Sequence, residues 1–568
     1  MLPGFLRLKS RFGFVLVLEC FFCSSIFIQA SDRYVATNGT DTGDFLTWAT
    51  ASSNIQWAVD KALSANDTVW VSNGTYVLTN QIVVTNAIIL RSANGPTNTI
   101  INGGFVEGAT GATTNNRCLY MSNTAALVHG FTFSNGAMYS TAGAGVHIGR
   151  GALSNCIVRD NVAFDIAYGG GGIYMRAYST VTACQVFGNM VSNSTTAYYG
   201  AGAGIYAGQY QEGCAVFDCL VSNNSLKGVT SSRSGAGIYT YGATVRSCLI
   251  RNNDNSPDGI GGGIYLGWYS TMDSCTVIVN RSSSGGGCYF AGGIITNCVI
   301  SYNYVADSDS GGGLSMVPQL SYTYCKVYNT AFAGNTNTAV RMSNFNGGTN
   351  WMINSIFEDS VRWGLAIRSN TSNTLNIVSN CIVRRNGAGI HCYATWDTQI
   401  RNCLIANNSN FNNYGGLYLG SDCYTALVVS CCTIVSNYGT NYGAGLRFEG
   451  TNVQARVTSC IIYSNGIGGT NDLYDDSAPT NYGRLQYSCV GTNPGFTGAG
   501  IIVTNPQFVS FTGGNFRLSG NSPCINAGSN ESWMTNAVDL DGRTRLRYGR
   551  VDMGVYEAIR DATVYHFR

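Results

Sequence analysis

The stretch "GGGIYL", residues 261–266, places three flexible glycines directly before Ile264 and Tyr265, which favour a pleated strand. The same phrase returns along the chain with small changes, as "GGGIYM" at 170–175, "GAGIYA" at 202–207, "GAGIYT" at 235–240 and "GGGCYF" at 285–290. The final glycines of successive phrases lie 24 to 33 residues apart. Repetition at steps of this size indicates a repeat architecture, in which each unit is one turn of a solenoid.

A second phrase alternates with the first and has a cysteine near its start and an asparagine five residues after it, as in "SCLIRNN" at 247–253. Each repeat therefore contains two or three short β-rich runs separated by Gly and Asn turns, with no helix between them. A unit of this size cannot bury its apolar face alone, so neighbouring units must stack. The sequence predicts an all-β fold, a single-stranded right-handed parallel β-helix in which twelve coils are visible.

Residues after the glycines alternate, so Ile264 and Leu266 are expected to point inward and the residue between them outward. That outward position is a tyrosine in five consecutive coils and again in a later one: Tyr174, Tyr206, Tyr239, Tyr265, Tyr289 and Tyr418. We expect this row to bind sugar rings on flat aromatic faces. The alternative is that tyrosine is simply a good strand residue, paired with its neighbour in the next coil.

The second phrase predicts two ladders of side chains. Eleven cysteines are assigned to one repeat position, with Ser355 filling the gap: Cys156, Cys184, Cys219, Cys248, Cys275, Cys298, Cys325, Cys381, Cys403, Cys432 and Cys460. Stacked Cβ vectors point the same way, so we expect small buried thiols in preference to disulfides. The asparagines are expected to be structural, because asparagine tolerates left-handed turns and satisfies neighbouring backbone groups: Asn161, Asn189, Asn224, Asn253, Asn280, Asn303, Asn386, Asn408, Asn437 and Asn465.

Composition limits the partners of the 568-residue chain. Apolar residues make up 45% of it and charged residues 11%, with a net charge of +2. This balance suits a large core and gives no reason to expect nucleic acid or an anionic membrane surface as a partner. Basic residues precede an apolar run that ends at Ala30, which predicts a secretory signal peptide over residues 1–30, with a membrane anchor as the alternative. We expect a secreted or cell-surface monomer without a transmembrane helix in the mature chain.

Two end regions flank the coils. Residues 31–100 are predicted to form an N-terminal cap and the first coils, with one apolar helical face made by Ile55, Ala58, Val59, Ala62 and Leu63. Residues 101–484 are predicted to form the β-helix. Residues 485–568 lose the glycine phrase and are predicted to form a β-rich C-terminal capping module, because raw sheet ends recruit other chains unless they are covered.

These segments together resemble the exported right-handed β-helix proteins of bacteria, a superfamily that includes pectate-lyase-like enzymes. Paired phrases such as "GGGIY" and "VRDN" are similar to the repeats of polymorphic outer-membrane proteins, with Val or Ile mostly replacing their phenylalanine. The tail phrases "SPCINAG", "DLDGRTR" and "GRVDMGVYE" resemble an end module found before surface anchors, although only "AIRDATVYHFR" follows them here. The resemblance implies a fold and an extracellular setting more than an activity.

The first candidate for catalysis lies in the loops between the Asn ladder and the glycines. A polyuronate lyase needs carboxylates that hold Ca²⁺ and a basic residue that takes a proton. The candidate carboxylates are Asp254, Asp258, Asp307 and Asp309, and the candidate bases are Lys227, Arg233, Arg251 and Arg281. Because two coils separate the acidic pairs, solvated turns are the simpler interpretation.

The motif "DLDGRTR" is a further candidate calcium loop, starting at Asp539 and Asp541. Nearby arginines oppose a cation, so ion pairing of Arg543, Arg545 and Arg550 with Asp552 and Glu557 is the simpler interpretation. The resulting expectation is an exported scaffold that binds or adheres to a polysaccharide or a cell-surface glycan. The alternative function is a polysaccharide lyase that uses Ca²⁺, and no other cofactor is implied.

Overall fold

The computed structural model describes residues 30–106, 116–166, 169–194, 200–208, 213–228, 233–319, 324–344, 347–369, 371–410, 414–420, 423, 427–439, 443–450, 455–466, 471–476 and 484–559. Except for Ala30, the predicted signal peptide lies outside the described residues. Within them the chain is a right-handed parallel β-helix, as predicted. None of the helices in this part of the chain has the length and apolar character needed to cross a bilayer.

One coil illustrates the others. After the glycines, strand Ile173–Met175 forms the glycine face, Thr180–Thr182 the second face, Gln185–Phe187 the third face and Met190–Asn193 a short fourth face. Each strand pairs in parallel with the equivalent strand of the next coil, so that Ile173 lies opposite Ile205. The in-register pairing stacks like residues on like residues throughout the solenoid.

The strands of the glycine face follow one another at the repeat period. They are Ile82–Val84, Leu119–His129, Val146–Ser154, Ile173–Met175, Ile205–Ala207, Ile238–Thr240, Ile264–Leu266, Cys288–Phe290, Gly311–Met316, Thr338–Asn344, Trp363–Ser369, Ala388–Tyr393, Leu417–Leu419, Leu446–Phe448 and Leu473–Asp475. Two of them, Leu119–His129 and Val146–Ser154, are long enough to continue into the second face. Its other strands are Asp32–Val35, Thr68–Val71, Ile89–Ser92, Thr180–Thr182, Ala215–Phe217, Thr244–Arg246, Ser270–Asp273, Gly293–Thr296, Tyr324–Tyr328, Gly348–Ile353, Thr374–Ser379, Thr398–Arg401, Leu427–Ser430, Ala455–Thr458 and Leu485–Gln486.

The third face carries the cysteine–asparagine phrase. Its strands are Gly74–Val77, Thr99–Asn102, Thr132–Ser134, Ile157–Arg159, Gln185–Phe187, Leu220–Ser222, Leu249–Arg251, Thr276–Ile278, Val299–Ser301, Ala331–Ala333, Ile356–Glu358, Ile382–Arg384, Leu404–Ala406, Thr433–Val435, Ile461–Tyr463, Cys489–Val490 and Ile502–Val503. The fourth face consists of Ala137–Tyr139, Val162–Phe164, Met190–Asn193, Ser225–Gly228, Asp254–Ile260, Arg281–Ser284 and Tyr304–Val305. The short pair Ser409–Asn410 and Tyr438–Gly439 lies apart from this sheet.

The inward residues form one continuous apolar core. Ile264 and Leu266 are fully buried, as are the residues above and below them, and the same core cluster runs from Val35 to Phe496. Burial of each such side chain contributes roughly 1.5–3 kcal/mol. The prediction that alternate residues after the glycines point inward is therefore confirmed.

The cysteine ladder is confirmed with one correction. Cys184 donates its backbone N–H to the Cys219 sulfur at 3.4 Å, and its own thiol to the Thr182 carbonyl at 3.2 Å. Burial raises the pKa of the Cys184 thiol well above its ordinary value, so the thiolate is disfavoured. Cys325, however, lies in a second-face strand opposite Gly293, and Thr330 holds the ladder position that we assigned to it.

The asparagine ladder is buried, and its members bond to one another. Asn189 donates a backbone N–H and a side-chain N–H to the Asn224 Oδ1 atom, each at 3.0 Å. The ladder also includes Asn335, which was not among the predicted members, and it is interrupted at Ser360. It ends on a carboxylate: Asn465 makes the same two donations to Asp472, at 2.8 and 2.9 Å.

The N-terminal helix is shorter than the predicted apolar face. It spans Ile55–Lys61 and buries Ile55, Ala58 and Val59 in the core cluster. Leu63 lies beyond the helix and is 74% exposed, so its assignment to the face was wrong. A 3-10 turn, Trp48–Thr50, precedes the helix. That the helix lids the first coil stays a prediction.

The C-terminal module packs mainly along the side of the solenoid. Phe496 joins the core at the end of the coils, near Phe448. The chain then turns back, through the hairpin Phe508–Ser510 and Asn515–Leu518 and the 3-10 turn Ser532–Met534, onto the third face of the last coils. Its apolar residues thus cover strands such as Ile461–Tyr463 that otherwise face water.

Candidate functional site

The predicted tyrosines form a stack of rings beside the glycine face. Adjacent ring centroids lie 5.2 Å apart for Tyr174 and Tyr206, 4.8 Å for Tyr206 and Tyr239, 4.8 Å for Tyr239 and Tyr265, and 5.5 Å for Tyr265 and Tyr289. The interplanar angles are 20° or less, so the rings are nearly parallel. We call these five residues the tyrosine ladder.

The ladder points away from the core, as expected. Its ring faces, however, are covered, whereas binding of sugar rings on them requires open faces. Tyr206 is only 4% exposed and Tyr265 only 7%, because each ring covers the face of the next. The Tyr265 hydroxyl also accepts a hydrogen bond from Gln319 at 3.2 Å. Burial raises the pKa of Tyr289 to about 12, so the ladder is neutral at ordinary pH.

Exposed aromatic rings lie at the neighbouring corner, where the glycine face turns into the second face. Tyr178 and Tyr269 are 77% and 53% exposed, and Trp268, directly before Tyr269, lies 5.5 Å from Tyr241 of the preceding coil. We call these four residues the aromatic corner. The repeat pattern does not predict this corner, because its aromatic residues occupy turns of variable length, although the phrases "RAYS" and "GWYS" are a visible signal.

The corner is held by left-handed backbone geometry. Tyr178 and Tyr269 have φ values of 61° and 58°, a region where a bulky residue is strained. A Cβ added at Gly213, at φ 64°, would come within 2.7 Å of the Tyr178 ring, so glycine in the next coil makes room for that ring. Strained backbone of this kind persists only where surrounding structure maintains it.

Tyr418, the sixth predicted tyrosine, lies in a separate cluster further along the same face. Its ring centroid is 4.7 Å from His391 and 4.1 Å from Tyr414, and Trp363 packs on the far side of His391 at 4.3 Å. Burial, with the nearby guanidinium of Arg362, lowers the pKa of His391 to about 3. His391 is therefore neutral and serves as a packing residue here.

The structure does not gather the carboxylates predicted for calcium. Asp254 and Asp258 are exposed, and Asp254 accepts hydrogen bonds from Ser256 in its own turn. Asp307 likewise accepts from Asp309 and Ser310, and Asp309 pairs with Arg341. Across the described ranges, no three His, Cys, Asp or Glu side chains are grouped so that they can hold a metal ion.

The predicted bases lie in the coils around Asp254 and differ in burial and in the face they occupy. Arg233 is buried and donates to the Leu226 carbonyl, and Arg281 lies over the Tyr304 ring at 4.9 Å. Lys227 and Arg251 are exposed on different faces. Arg233 nevertheless lies close enough to interact with the carboxylates of Asp258 and Asp254, and Arg281 is the parallel-strand neighbour of Asp254.

Ion pairing organises the "DLDGRTR" motif, and the predicted pairing with Glu557 is found for Arg545, whereas Arg543 pairs with Asp541 inside the motif. Asp541 pairs with Arg543 at 2.6 Å, and the fully buried Arg545 pairs with Glu557 at 2.8 Å. Asp539 accepts from the backbone N–H groups of Arg543 and Glu557, each at 2.7 Å. Arg550, by contrast, donates to the Gly528 carbonyl. The Asp539 oxygens are thus engaged in holding the module together.

Comparison with known proteins gives only distant similarities. No protein-family model matches the chain, and no curated protein matches it. Among solved structures, it is similar to the A-module of the Azotobacter vinelandii mannuronan C-5 epimerase AlgE6, at 12% identity over 80% of this chain and 95% of that chain, with a TM-score of 0.30. The pectate lyase Pel9A is 14% identical over 94% of this chain and 97% of that one, with a TM-score of 0.24.

A third similar structure is the pectin methylesterase of Aspergillus niger, at 13% identity over 53% of this chain and 85% of that chain, with a TM-score of 0.27. Similarities of this size carry no information about the ligand or the reaction. The stacked strands of the chain itself assign it to the right-handed parallel β-helix architecture.

Proposed function

We propose that the protein is an exported β-helix scaffold that binds a carbohydrate polymer at the aromatic corner. The observation that carries this proposal is the exposure of Tyr269, next to the partly exposed pair of Trp268 and Tyr241, and of Tyr178 three coils away along the same corner. Tyrosine and tryptophan combine a large apolar face with a polar tip, which suits sugar rings that have apolar faces and hydroxyl edges. At a coil spacing of about 4.8 Å, Tyr178 and Tyr269 lie roughly 14 Å apart along the axis, a distance that several residues of a polymer can span.

The tyrosine ladder supports this surface in the proposal. Its ring faces contact one another and are not open to a ligand, so it contributes to binding by forming a rigid, neutral surface beside the corner. Tyr174, Tyr206, Tyr239, Tyr265 and Tyr289 thus act as positioning residues, and Tyr418 belongs to the separate His391 cluster. A protein that stacks nucleic-acid bases also needs a positively charged groove, and the corner side chains are uncharged.

Export and surface location are part of the same proposal and rest on residues 1–30 of the sequence. Cell fractionation with N-terminal sequencing tests them: we expect mature protein outside the cytoplasm, beginning at Ser31. Protein that retains residues 1–30 inside the cell would contradict export. Sedimentation of the purified chain is expected to give a monomer.

Glycan-array binding followed by calorimetry tests the ligand. The corner variant is Tyr178→Asn with Tyr269→Asn, because asparagine tolerates the left-handed backbone. The matched control is Tyr302→Asn, since Tyr302 is 62% exposed at φ 54° on a different corner. We expect the corner variant to weaken polysaccharide binding at least tenfold and the control to leave it unchanged.

The lyase alternative is tested on the same preparations. Uronate polymers are incubated with the protein and Ca²⁺, and unsaturated product is followed by ultraviolet absorbance. Turnover that disappears in Asp258→Ala would replace the binding function with the lyase function. Equal binding by the corner variant and the unmodified protein would also overturn the proposal.

A further inference from the structure

A cleft of about 350 Å³ lies at the N-terminal end of the solenoid, between helix Ile55–Lys61 and strand Gly74–Val77. Its lining residues lie at positions 37, 53–57 and 75–82 and include no charged side chain. The cleft is three coils from the first tyrosine of the ladder, roughly 14 Å along the axis. It is therefore separate from the aromatic corner.

The walls of the cleft are fixed by the fold. Gln56 accepts a hydrogen bond from the Val83 N–H at 2.7 Å and donates to the Val83 carbonyl at 3.2 Å, so its amide replaces a neighbouring strand at this sheet edge. Asn54 caps the helix by accepting from the N–H groups of Gln56 and Trp57. At Gly74 an added Cβ would come within 2.5 Å of the Thr37 methyl group, so glycine lets the two walls approach.

Several polar side chains that line the cleft have no hydrogen-bond partner among the described residues. Within the described part of the chain, the side chains of Thr37, Thr75, Thr79 and Asn80 make no hydrogen bond, and all four are exposed. Trp57 is 51% exposed, and its ring contacts no aromatic ring or cation among the described residues. An open indole face beside hydroxyl and amide groups is chemistry that recognises a sugar ring.

We infer that this cleft is a second binding site, for one or two residues of a neutral sugar. The absence of charge from its lining disfavours uronates, phosphates and other anions, because no basic group balances them. The volume lies at the lower end of the range for small-molecule sites, which matches a short segment of a glycan. The site does not depend on the aromatic corner.

The test uses the mature chain carrying Tyr178→Asn and Tyr269→Asn, so that binding at the corner is removed first. Calorimetry is performed with mannohexaose, cellohexaose and xylohexaose, and with trigalacturonate as the acidic probe. We expect at least one neutral hexaose to bind and trigalacturonate not to bind. In this background Trp57→Ala is expected to weaken the binding at least tenfold, and Asn80→Ala several-fold.

Trp48→Ala is the matched control. Trp48 is 47% exposed in the same region but packs on Tyr34 at 4.7 Å and does not line the cleft. We expect this variant to bind normally and circular dichroism to be unchanged in all three variants. Thermal unfolding should be unchanged in Trp57→Ala and Asn80→Ala and slightly earlier in Trp48→Ala, which loses its packing on Tyr34. The inference is overturned if no neutral hexaose binds, or if Trp57→Ala binds as well as its parent. An extended peptide is added as a competitor, and the inference is also overturned if this peptide blocks hexaose binding and itself pairs with strand Gly74–Val77.

Discussion

Asn253 lies directly over Asn280, and its backbone N–H and side-chain N–H both donate to the Asn280 Oδ1 atom at 3.0 Å. Asn253 also accepts both equivalent donations from Asn224. Replacing it with alanine leaves buried donors of Asn224 without an acceptor, at a cost of about 1–3 kcal/mol for each unsatisfied group. We expect Asn253→Ala to lower the free energy of unfolding by about 3 kcal/mol or more, measured by urea denaturation.

Asn80→Ala is the control for that measurement, because Asn80 is exposed and its side chain makes no hydrogen bond among the described residues. Asn253→Asp is a second probe: it keeps the acceptor but loses the amide donors and adds a buried charge. It should also destabilise the fold. An unchanged urea midpoint in Asn253→Ala would show that the ladder is not a source of stability.

Asp472, at the end of the ladder, is expected to make stability depend on pH. Burial raises its pKa to about 6, despite the hydrogen bonds from Asn465. An acid whose pKa is raised by folding stabilises the protein fully below its unfolded pKa, and that contribution is lost as the pH rises towards the folded pKa. The shift corresponds to roughly 3 kcal/mol lost between about pH 4 and pH 6.

Asp472→Asn tests this expectation, because the amide keeps the acceptor for Asn465 and removes the charge. The variant should be more stable than the unmodified protein at pH 7 and close to it at pH 4. Equal stabilities at both pH values would contradict a buried, titrating carboxylate.

The buried pair of Arg545 and Glu557 is expected to hold the C-terminal module in place. Arg545→Met leaves the Glu557 carboxylate buried without its partner, which typically costs 3–5 kcal/mol. We expect residues 505–559 to become sensitive to proteolysis in this variant. The double variant Arg545→Met with Glu557→Gln should regain much of the resistance, and failure to do so would show that packing, not charge, is lost.

The tyrosine ladder is expected to stabilise the middle coils through ring packing. Tyr206→Ala opens a gap between Tyr174 and Tyr239 and should cost about 3 kcal/mol. Tyr206→Phe keeps the ring and should cost far less. Thermal unfolding of the two variants separates ring packing from the hydroxyl group, and equal losses in both would contradict the stacking account.

The ladder thiols are expected to resist chemical labelling in the folded protein. Cys219 and Cys248 are almost completely buried and each donates to a carbonyl of its own coil. A thiol reagent should modify them only after urea unfolding, as followed by mass spectrometry. Labelling of the folded chain at these positions would show that the coils open.

The fold was predictable because period and alternation are local signals. The position of Ile264 faces inward in every repeat, because alternation along a strand sets the direction of each side chain independently of the loop lengths. Cys325 was misplaced because the phrase around it lacks the asparagine, and only strand pairing shows that Thr330 takes its position. Sequence spacing therefore assigns a residue to the wrong repeat position wherever a loop changes length.

The site was less predictable because exposure depends on neighbours in other coils. Tyr265 has an outward Cβ, yet the rings of Tyr239 and Tyr289 cover it. The role of Gln56 at the sheet edge was not visible either, since its partner Val83 is far along the chain. Such contacts follow from stacking and cannot be read from a single repeat.

The asparagine ladder also has a direction. From Asn386 to Asn465 each asparagine donates one side-chain N–H to the Oδ1 atom of the next member and another to a carbonyl of the preceding coil. The side-chain carbonyl oxygens therefore all face the preceding coil, and the amide dipoles add in one sense, as peptide dipoles do in a helix. The positive end of that row rests on the Asp472 carboxylate. The last coil therefore holds a carboxylate that balances the aligned amide dipoles, and this makes one end of the solenoid electrostatically different from the other.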